Sequence, residues 1–275
     1  MTQKLKYLSR IKDEFDTVIC GVNGVFMHGD IVLPQAVDAL IKLYQSGKKI
    51  ALASNTGLRV RDLYYLLKHK DVPMNIFYAI ITAGEIAHFY LKQNQTNSKT
   101  YYSLNGQKSM AAAGLEYMPV ESMVLADFVL AETESGGLST AEILPELEQA
   151  LHLRLPLVSI GNNTALVGHN GVIESVGAAA EQYALMGGKV MSFGKPDVRI
   201  ASYLTENMSD FRPQCCLVIG DCMATDMRMG NAFGAQTLLV GSGVHQLGDT
   251  TERQLDDLSI NYGLSIDYYT EALLW

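Results

Sequence analysis

The chain has 275 residues, of which 48% are hydrophobic and 18% are charged; this composition is ordinary for a globular protein, and the length predicts about two domains. The formal net charge of -8 argues against nucleic acid or an anionic membrane surface as the main partner. We find no apolar run long enough to cross a bilayer, and no uninterrupted apolar stretch of the kind that a signal peptide needs, so we expect a cytoplasmic location.

The first 90 residues alternate between strand and helix patterns. Pro34 suits the first position of a helix, Gly47 ends that helix, and Thr82 and Glu85 form a T-x-x-E capping box for a later one. The predicted elements are a strand at 17–20, a helix from Pro34 to Gly47, a strand at 50–53, a helix at about 60–68, a strand at 77–81 and a helix from Thr82 through Tyr90. This alternation predicts a parallel sheet covered by helices.

A polar stretch at 93–98 indicates an exposed loop, and a second α/β block follows it. Within that block the pair Asn170-Gly171 predicts a β-hairpin. The other predicted elements are a strand near Tyr101, a helix near 108–113, a strand at 128–131, a helix at 140–152, a strand at 157–160 and a helix at about 178–186.

The last third of the chain returns to the first pattern. The predicted elements are a strand at 190–193, a helix at 198–207, a buried strand at 216–219, a helix at 227–233, a strand at 237–240 and a helix at about 252–258. The fold class is therefore α/β. We expect a parallel-sheet core made from residues 1–84 and 188–275, with a smaller α/β domain inserted at residues 85–187.

The cysteines and histidines lack the spacing of a metal site. Cys20, Cys215, Cys216 and Cys222 contain no C-x-x-C pair, and the six histidines contain no H-x-x-x-H pair. We therefore expect reduced cysteines in or near the core and no metal ion ligated by histidine.

Polar residues follow four of the predicted strands, at 21–24, 54–56, 194–196 and 220–226. In open parallel sheets, ligands bind at the carboxyl ends of the strands. Each motif taken singly has a plainer interpretation: a Ser-Asn pair also fits a helix cap, and a Lys-Pro pair also fits a surface turn. Their shared position at strand ends favours one common site.

Taken together, four segments resemble the haloacid dehalogenase (HAD) superfamily in its class IIA, or NagD-like, branch. The segments are VNGVF-x-x-G, ALASNT, FGKPD and VIGDCMATDM. They occur in the family's order and at family-like distances, and the resemblance covers nearly the whole chain. It implies a Rossmannoid three-layer core, an inserted C2-type cap at residues 85–187, and a phosphatase-like site.

The resemblance assigns phosphate binding to four residues. The Ser54 hydroxyl would bond a phosphoryl oxygen, assisted by backbone N–H groups near Asn55 and around Gly24. Lys195 would balance the charge of the phosphate as a compact cation. The implied ligand is inorganic phosphate or a small phosphorylated metabolite.

The resemblance also implies a Mg2+ cofactor. Asp221 and the backbone carbonyl of Asn23 would ligate the ion, since Mg2+ prefers oxygen ligands. Asp226 would support this site without touching the metal.

Two positions depart from the family pattern. The attacking carboxylate of the family, which also ligates Mg2+, belongs at the position of Gly21, and glycine offers neither function. The general acid and base belongs at the position of Asn23, and an amide does not exchange protons near neutral pH. We therefore expect a weakened metal site and at most slow hydrolysis.

Three neighbours are alternative nucleophiles. Cys20 should face away from the site because side chains alternate across a strand. Asp16 lies five residues upstream and too far back along the strand. Asp30 lies beyond the glycine turn, and direct attack by water is a further route.

The match to the family is weakest in the inserted cap. Asn162 and Asn163 occupy the place of the family's substrate loop, where Asn162 alone clearly matches. The family associates through its caps, which favours a homodimer.

Three functions remain open at this point. The first is a degenerate phosphatase that binds a phosphorylated ligand or acts as a regulatory subunit. The second is an active Mg2+-dependent phosphomonoesterase with a different route of attack. The third is an interaction protein with a vestigial site, against which the survival of Ser54, Lys195, Asp221 and Asp226 argues.

Overall fold

The computed structural model describes residues 2–94, 99–104, 106, 108–133, 137–197, 199–208 and 210–275. Most of the loop predicted at 93–98 lies outside these ranges, as does Val198, the predicted first residue of a helix. In the described residues, none of the helices is both long enough and apolar enough to span a membrane.

The strands, in chain order and within these ranges, are β1 Gln3–Lys4, β2 Thr17–Cys20, β3 Met27–His28, β4 Ile31–Val32, β5 Lys49–Ser54, β6 Phe77–Thr82, β7 Thr100–Ser103, β8 Met118–Pro119, β9 Phe128–Glu132, β10 Leu157–Ile160, β11 Ala165–Gly168, β12 Gly171–Glu174, β13 Val190–Phe193, β14 Cys216–Gly220, β15 Gln236–Val240 and β16 Tyr268–Thr270. The α-helices are α1 Pro34–Gln45, α2 Val60–His69, α3 Ala83–Gln93, α4 Thr140–His152, α5 Val176–Leu185, α6 Arg199–Asn207, α7 Arg228–Phe233 and α8 Glu252–Tyr262. A π-helical turn at Met223–Met227 precedes α7.

The core is a seven-stranded sheet in the order β1-β16-β15-β14-β2-β5-β6, and all of its neighbouring strands are parallel. Its central strands are apolar on both faces because helices cover both. Val18 and Cys20 pack toward α1 and α2, and Ile19 packs toward α6 and α7. The predicted α/β fold with three layers is confirmed.

A second parallel sheet, in the order β13-β10-β9-β7-β8, belongs to the inserted segment. The prediction assigned 190–193 to the core, and this is wrong: β13 pairs along its whole length with β10. The helix before β13, α5, packs on β10 and β13, and this crossover carries the chain back beside β10. As a domain division, the boundaries at 84/85 and 187/188 stay a prediction.

The helix predicted near 108–113 is also wrong. The described residues between 108 and 117 form irregular turns. The Glu132 carboxylate accepts hydrogen bonds from the backbone N–H groups of Met110 and Ala111, both at 3.0 Å, and so fixes the position of these turns.

Only one of the two hydrogen bonds of the predicted capping box forms. Thr82 Oγ1 accepts a hydrogen bond from Glu85 N at 3.0 Å. The Glu85 carboxylate turns instead to α2, where it accepts bonds from Arg59 and from Val60 N. Glu85 therefore ties the starts of α2 and α3 together beside the end of β5.

Two β-hairpins, one from the core and one from the inserted segment, face each other. β11 and β12 form the hairpin predicted from Asn170-Gly171, and β3 and β4 form a second, unpredicted one. Gly29 N, in the turn of the second hairpin, donates to Val167 O of the first at 3.0 Å. The hairpins thus close one side of the space at the carboxyl ends of the core strands.

Candidate active site

A cavity of about 460 Å³ lies where the carboxyl ends of β2, β5 and β14 meet the inserted segment. This is the position at which open parallel sheets bind ligands. Residues from the core strand ends, from both hairpins and from the second sheet line it: Val22, Asn23, Met27, Gly29, Asp30, Ser54, Asn55, Thr56, Gly57, Leu58, Leu63, Leu66, Lys108, Met110, Glu132, Thr133, Asn163, Leu166, Lys195, Asp221 and Val244.

Gly21 directly follows β2 and extends its pairing with β14, since Gly21 N donates to Ile219 O at 2.8 Å. A Cβ atom at this position would lie 3.6 Å from Asp226 Oδ1 and 3.2 Å from Val25 Cγ2. Its φ lies outside the left-handed range, so the backbone does not require glycine there. A side chain at position 21 would therefore reach the site.

Asn23 connects the core to the inserted segment. Its Nδ2 donates to Val167 O at 2.9 Å, and its Oδ1 accepts from Val167 N at 3.1 Å. A carboxylate could accept from the N–H group but could not donate to the carbonyl. The amide at the family's acid and base position therefore makes a pair of bonds that aspartate cannot make.

Asp221 is buried against two glycines. A Cβ at Gly24, where φ is +76°, would lie 1.9 Å from Asp221 Oδ2, and a Cβ at Gly243 would lie 2.1 Å from Asp221 Cβ. Asp221 Oδ2 accepts a hydrogen bond from Val244 N at 2.9 Å. Burial, with the charge of Asp226 as a second cause, raises the pKa of Asp221 to about 7.

Lys195 and Asp226 form a buried ion pair, with Lys195 Nζ 2.7 Å from Asp226 Oδ1. The close approach of the Asp226 side chain needs Gly220, because a Cβ there would lie 2.1 Å from Asp226 Cβ. The structure thus brings together the predicted phosphate-binding lysine and the predicted supporting carboxylate. An anion that approaches Lys195 therefore competes with Asp226 for the positive charge of the lysine.

Three asparagines hold the loop that carries Lys195. Asn55 Oδ1 accepts from Lys195 N at 2.6 Å, and Asn55 Nδ2 donates to Asn163 Oδ1 at 2.6 Å and to Lys195 O at 3.1 Å. Asn162 Nδ2 donates to the carbonyls of Gly194 and Lys195, both at 3.1 Å. Asn162 and Asn163, predicted as substrate residues, therefore connect the inserted segment to this loop, and Asn163 also lines the cavity.

Ser54 ends β5 and lines the cavity as predicted. Its hydroxyl oxygen accepts a long hydrogen bond of 3.4 Å from Thr56 N. That bond leaves the hydroxyl proton free for an acceptor such as a phosphoryl oxygen.

Of the three alternative nucleophiles, Asp30 lines the cavity. Cys20 is buried below the sheet, its Sγ donates to Gly21 O at 3.1 Å, and burial raises the pKa of its thiol. Asp16 precedes β2, at the opposite end of that strand from Gly21, and pairs with Arg212 at 2.7 Å. Asp30 lies in the turn between β3 and β4, where its side chain is 78% exposed.

Sequence reasoning missed Glu132, which ends β9 and lines the cavity. Its carboxylate accepts from Ser109 Oγ at 2.5 Å and from Met110 N and Ala111 N, and burial raises its pKa. The rule that polar residues at strand ends mark sites would have found it in the second sheet.

The donor set around Asp221 offers few carboxylates to a metal ion. Across the described ranges, no group of three or more His, Cys, Asp or Glu side chains is placed to hold one. Asp226 is engaged by Lys195, which leaves Asp221 and backbone carbonyl oxygens. Such a set fits Mg2+ when water and ligand oxygens fill the remaining positions.

Comparisons with known proteins identify the family that the chain resembles. Residues 18–116 match the family model of haloacid dehalogenase-like hydrolases, and residues 192–261 match that of HAD-hydrolase-like proteins. The chain is 27% identical to the glycerol-3-phosphate phosphatase of Gallus gallus over 94% of its own length and 89% of the relative's. It is 24% identical to the ribonucleotide monophosphatase NagD of Escherichia coli (strain K12), over 84% of the chain and 90% of NagD.

The fold is also shared with solved structures. A haloacid dehalogenase-like hydrolase from Brucella suis 1330 superposes with a TM-score of 0.81 at 18% identity, covering 98% of this chain and 100% of that one. NagD from E. coli K-12 superposes with a TM-score of 0.63 at 20% identity, covering 94% and 96%.

Proposed function

Because the chain belongs to the haloacid dehalogenase superfamily, in its class IIA or NagD-like branch, we propose that it binds phosphate or a small phosphorylated metabolite and hydrolyses it slowly or not at all. The observation that carries this proposal is Gly21. The place of a side chain there adjoins Asp226, and Ser54, Lys195 and Asp221 surround the same cavity. The site keeps groups that hold an anion and lacks the carboxylate that attacks it.

The chemical consequence is a missing covalent step. In this family an aspartate attacks phosphorus and forms an acyl phosphate, which divides a difficult displacement into two easier ones. Glycine has no atom that can attack, so water must do so without that intermediate. The remaining electrostatic groups sustain a residual rate that lies orders of magnitude lower.

The groups that are present can still bind phosphate. The Ser54 hydroxyl donates to a phosphoryl oxygen, Lys195 attracts the charge, and backbone N–H groups around Gly24 complete a cradle. Phosphatases of this superfamily generally use Mg2+, which neutralises phosphate charge. Asp221 and the backbone carbonyl of Asn23 would hold the ion in this chain, more weakly than a site with an aspartate at position 21.

The relatives support a small phosphorylated ligand, since their names describe phosphatases acting on glycerol 3-phosphate and on ribonucleoside monophosphates. An active phosphomonoesterase is the second candidate. One observation favours it: Asp30 is among the residues that line the cavity, and its side chain is largely exposed, with its Oδ1 3.9 Å from Lys70 Nζ. A role as a regulatory subunit, the cytoplasmic location and a homodimer through the cap stay predictions.

Two measurements on the native chain test the proposal. Calorimetry with inorganic phosphate and Mg2+ should show binding at millimolar concentration or tighter, reduced in Ser54→Ala. Phosphate release from p-nitrophenyl phosphate should be absent, or slower by orders of magnitude than that of an active phosphatase. The absence of any phosphate binding would contradict the proposal.

Fast turnover by the native chain would contradict the proposal in a different way. If Asp221→Asn abolished that turnover, the site would be an active enzyme. Loss of turnover in Asp30→Asn would then identify Asp30 as the attacking group, whereas an unchanged rate in Asp30→Asn would leave water as the nucleophile.

A further inference from the structure

Besides Val22 and Val244, six leucine and methionine side chains line the cavity alongside its phosphate-binding groups. They come from the core, from the hairpin β3–β4 and from the inserted segment: Leu58, Leu63, Leu66, Met27, Met110 and Leu166. The bonds from Asn23 and Gly29 to Val167 bring the hairpin with Leu166 against the one with Met27. The apolar lining is therefore built from both sides of the cavity.

The polar side chains beside this lining are mostly engaged by the protein itself. Glu132 accepts from Ser109 and from two backbone N–H groups, and Asn163 accepts from Asn55. Asp30 and Lys108 also line the cavity and are exposed to solvent. Away from these two side chains, the organic part of a ligand meets mainly leucine and methionine.

This arrangement favours apolar over polar organic groups in a ligand. A polyol or a nucleobase that enters such a cavity exchanges its bonds to water for contacts with leucine and methionine, and each unpaired polar group carries a desolvation penalty. An alkyl or aryl group gains affinity there because its apolar surface leaves water. A cavity of about 460 Å³ is at the small end of the range for ligand pockets, which limits the organic part to a compact group.

We infer that the ligand of this site is a phosphate monoester with a compact, apolar organic part. This inference rests on the proposed function, because it assumes that the phosphate is bound at the strand ends. It is separate from the question of turnover.

Calorimetry with a matched series of compounds tests the inference. Ethyl, butyl and phenyl phosphate are compared with inorganic phosphate, glycerol 3-phosphate and ribose 5-phosphate in the presence of Mg2+. Each buried methylene should tighten binding about fourfold, so butyl phosphate should bind about tenfold or more tightly than ethyl phosphate. Both butyl and phenyl phosphate should bind more tightly than glycerol 3-phosphate.

Variants of the lining locate the effect. Leu66 and Met110 are 37% and 38% exposed, so Leu66→Asn and Met110→Gln should fold. Each should reduce the preference for butyl phosphate by several-fold and leave the affinity for inorganic phosphate unchanged. Leu185→Asn, at an 84% exposed position outside the cavity lining, is the matched control and should leave both unchanged.

The outcomes separate this inference from the proposed function. If inorganic phosphate binds while glycerol 3-phosphate or ribose 5-phosphate binds as tightly as butyl phosphate, the ligand class is wrong and the phosphate site stands. A preference for butyl phosphate that survives in both lining variants also overturns the inference. If inorganic phosphate itself does not bind, the proposed function fails and the ligand class fails with it.

Discussion

Replacement of Gly21 by aspartate should restore a carboxylate at the place from which phosphatases of this superfamily attack. The added Cβ would meet Val25 Cγ2 at 3.2 Å, so this buried, β-branched side chain must move by a few tenths of an ångström. The same Cβ lies 3.6 Å from Asp226 Oδ1, so the new charge comes close to a buried carboxylate.

The magnitude follows from that distance. Two unit charges about 4 Å apart repel by about 4 kcal/mol at an effective dielectric constant of about 20. Lys195 lies 2.7 Å from the same Asp226 oxygen and offsets part of this repulsion, so we expect roughly half of it, about 2 kcal/mol. In the absence of divalent ions the Tm of Gly21→Asp should fall by about 4–8 °C.

Two assays check the reasoning. Millimolar Mg2+ should recover the Tm of Gly21→Asp, because a divalent cation neutralises the facing carboxylates. With Mg2+, the variant should release phosphate from p-nitrophenyl phosphate, whereas the native chain does not. Gly21→Asn is the matched control: it has nearly the same shape but neither the charge nor the nucleophile, so it should be inactive and insensitive to Mg2+.

Either of two results would refute this account. A Tm of Gly21→Asp that is independent of Mg2+ would mean that the carboxylate does not face the site. Equal phosphate release by the native chain, Gly21→Asn and Gly21→Asp would mean that the missing nucleophile does not limit the reaction.

Three further predictions concern the groups around this position. Asn23→Asp should lower the free energy of unfolding by about 1–3 kcal/mol, because a carboxylate would face the Val167 carbonyl, and hydrogen exchange at Val167 should accelerate. Lys195→Met should cost about 3–5 kcal/mol in denaturant unfolding, since it leaves Asp226 buried without a partner, and Lys195→Met/Asp226→Leu should recover most of that loss. Because the pKa of Asp221 is raised, the native state keeps a proton that the unfolded state loses between about pH 4 and 7; without Mg2+ the contribution of Asp221 to stability should therefore fall as pH rises through this window. Stabilisation by Mg2+ should then be larger at pH 8 than at pH 6, and Asp221→Asn should abolish both effects in thermal melts.

The core and the strand-end motifs could be predicted because their determinants are local. An apolar run ending in glycine or a small polar residue defines a buried strand and its carboxyl end, as at Ser54 and Asp221. Parallel topology then places those ends at one edge of the sheet. The positions of Ser54 and Asp221 at one cavity therefore followed from the sequence, whereas Lys195 follows β13 of the second sheet.

The rest depended on contacts between distant segments. Asn23 and Val167 are 144 residues apart, and no local pattern indicates that one amide pairs with the other backbone. The sheet membership of β13 is set by the helix that precedes it, because a four-residue apolar strand fits either sheet equally well. The turns at 108–116 depend on Glu132, which ends β9 and whose carboxylate accepts hydrogen bonds from Met110 N and Ala111 N.

The bonds between Asn23 and Val167 bear on whether the lost chemistry is recoverable through mutation. Reversion at position 21 needs one substitution and a small shift of Val25. Reversion at position 23 removes one of the two donors to the Val167 carbonyl and leaves Gly29 N as the other, so its effect depends on hairpin β11–β12. The two aspartates of the family pattern therefore differ. An aspartate at position 21 can return by one substitution, whereas the effect of an aspartate at position 23 depends on epistasis with a hairpin that is distant in the sequence.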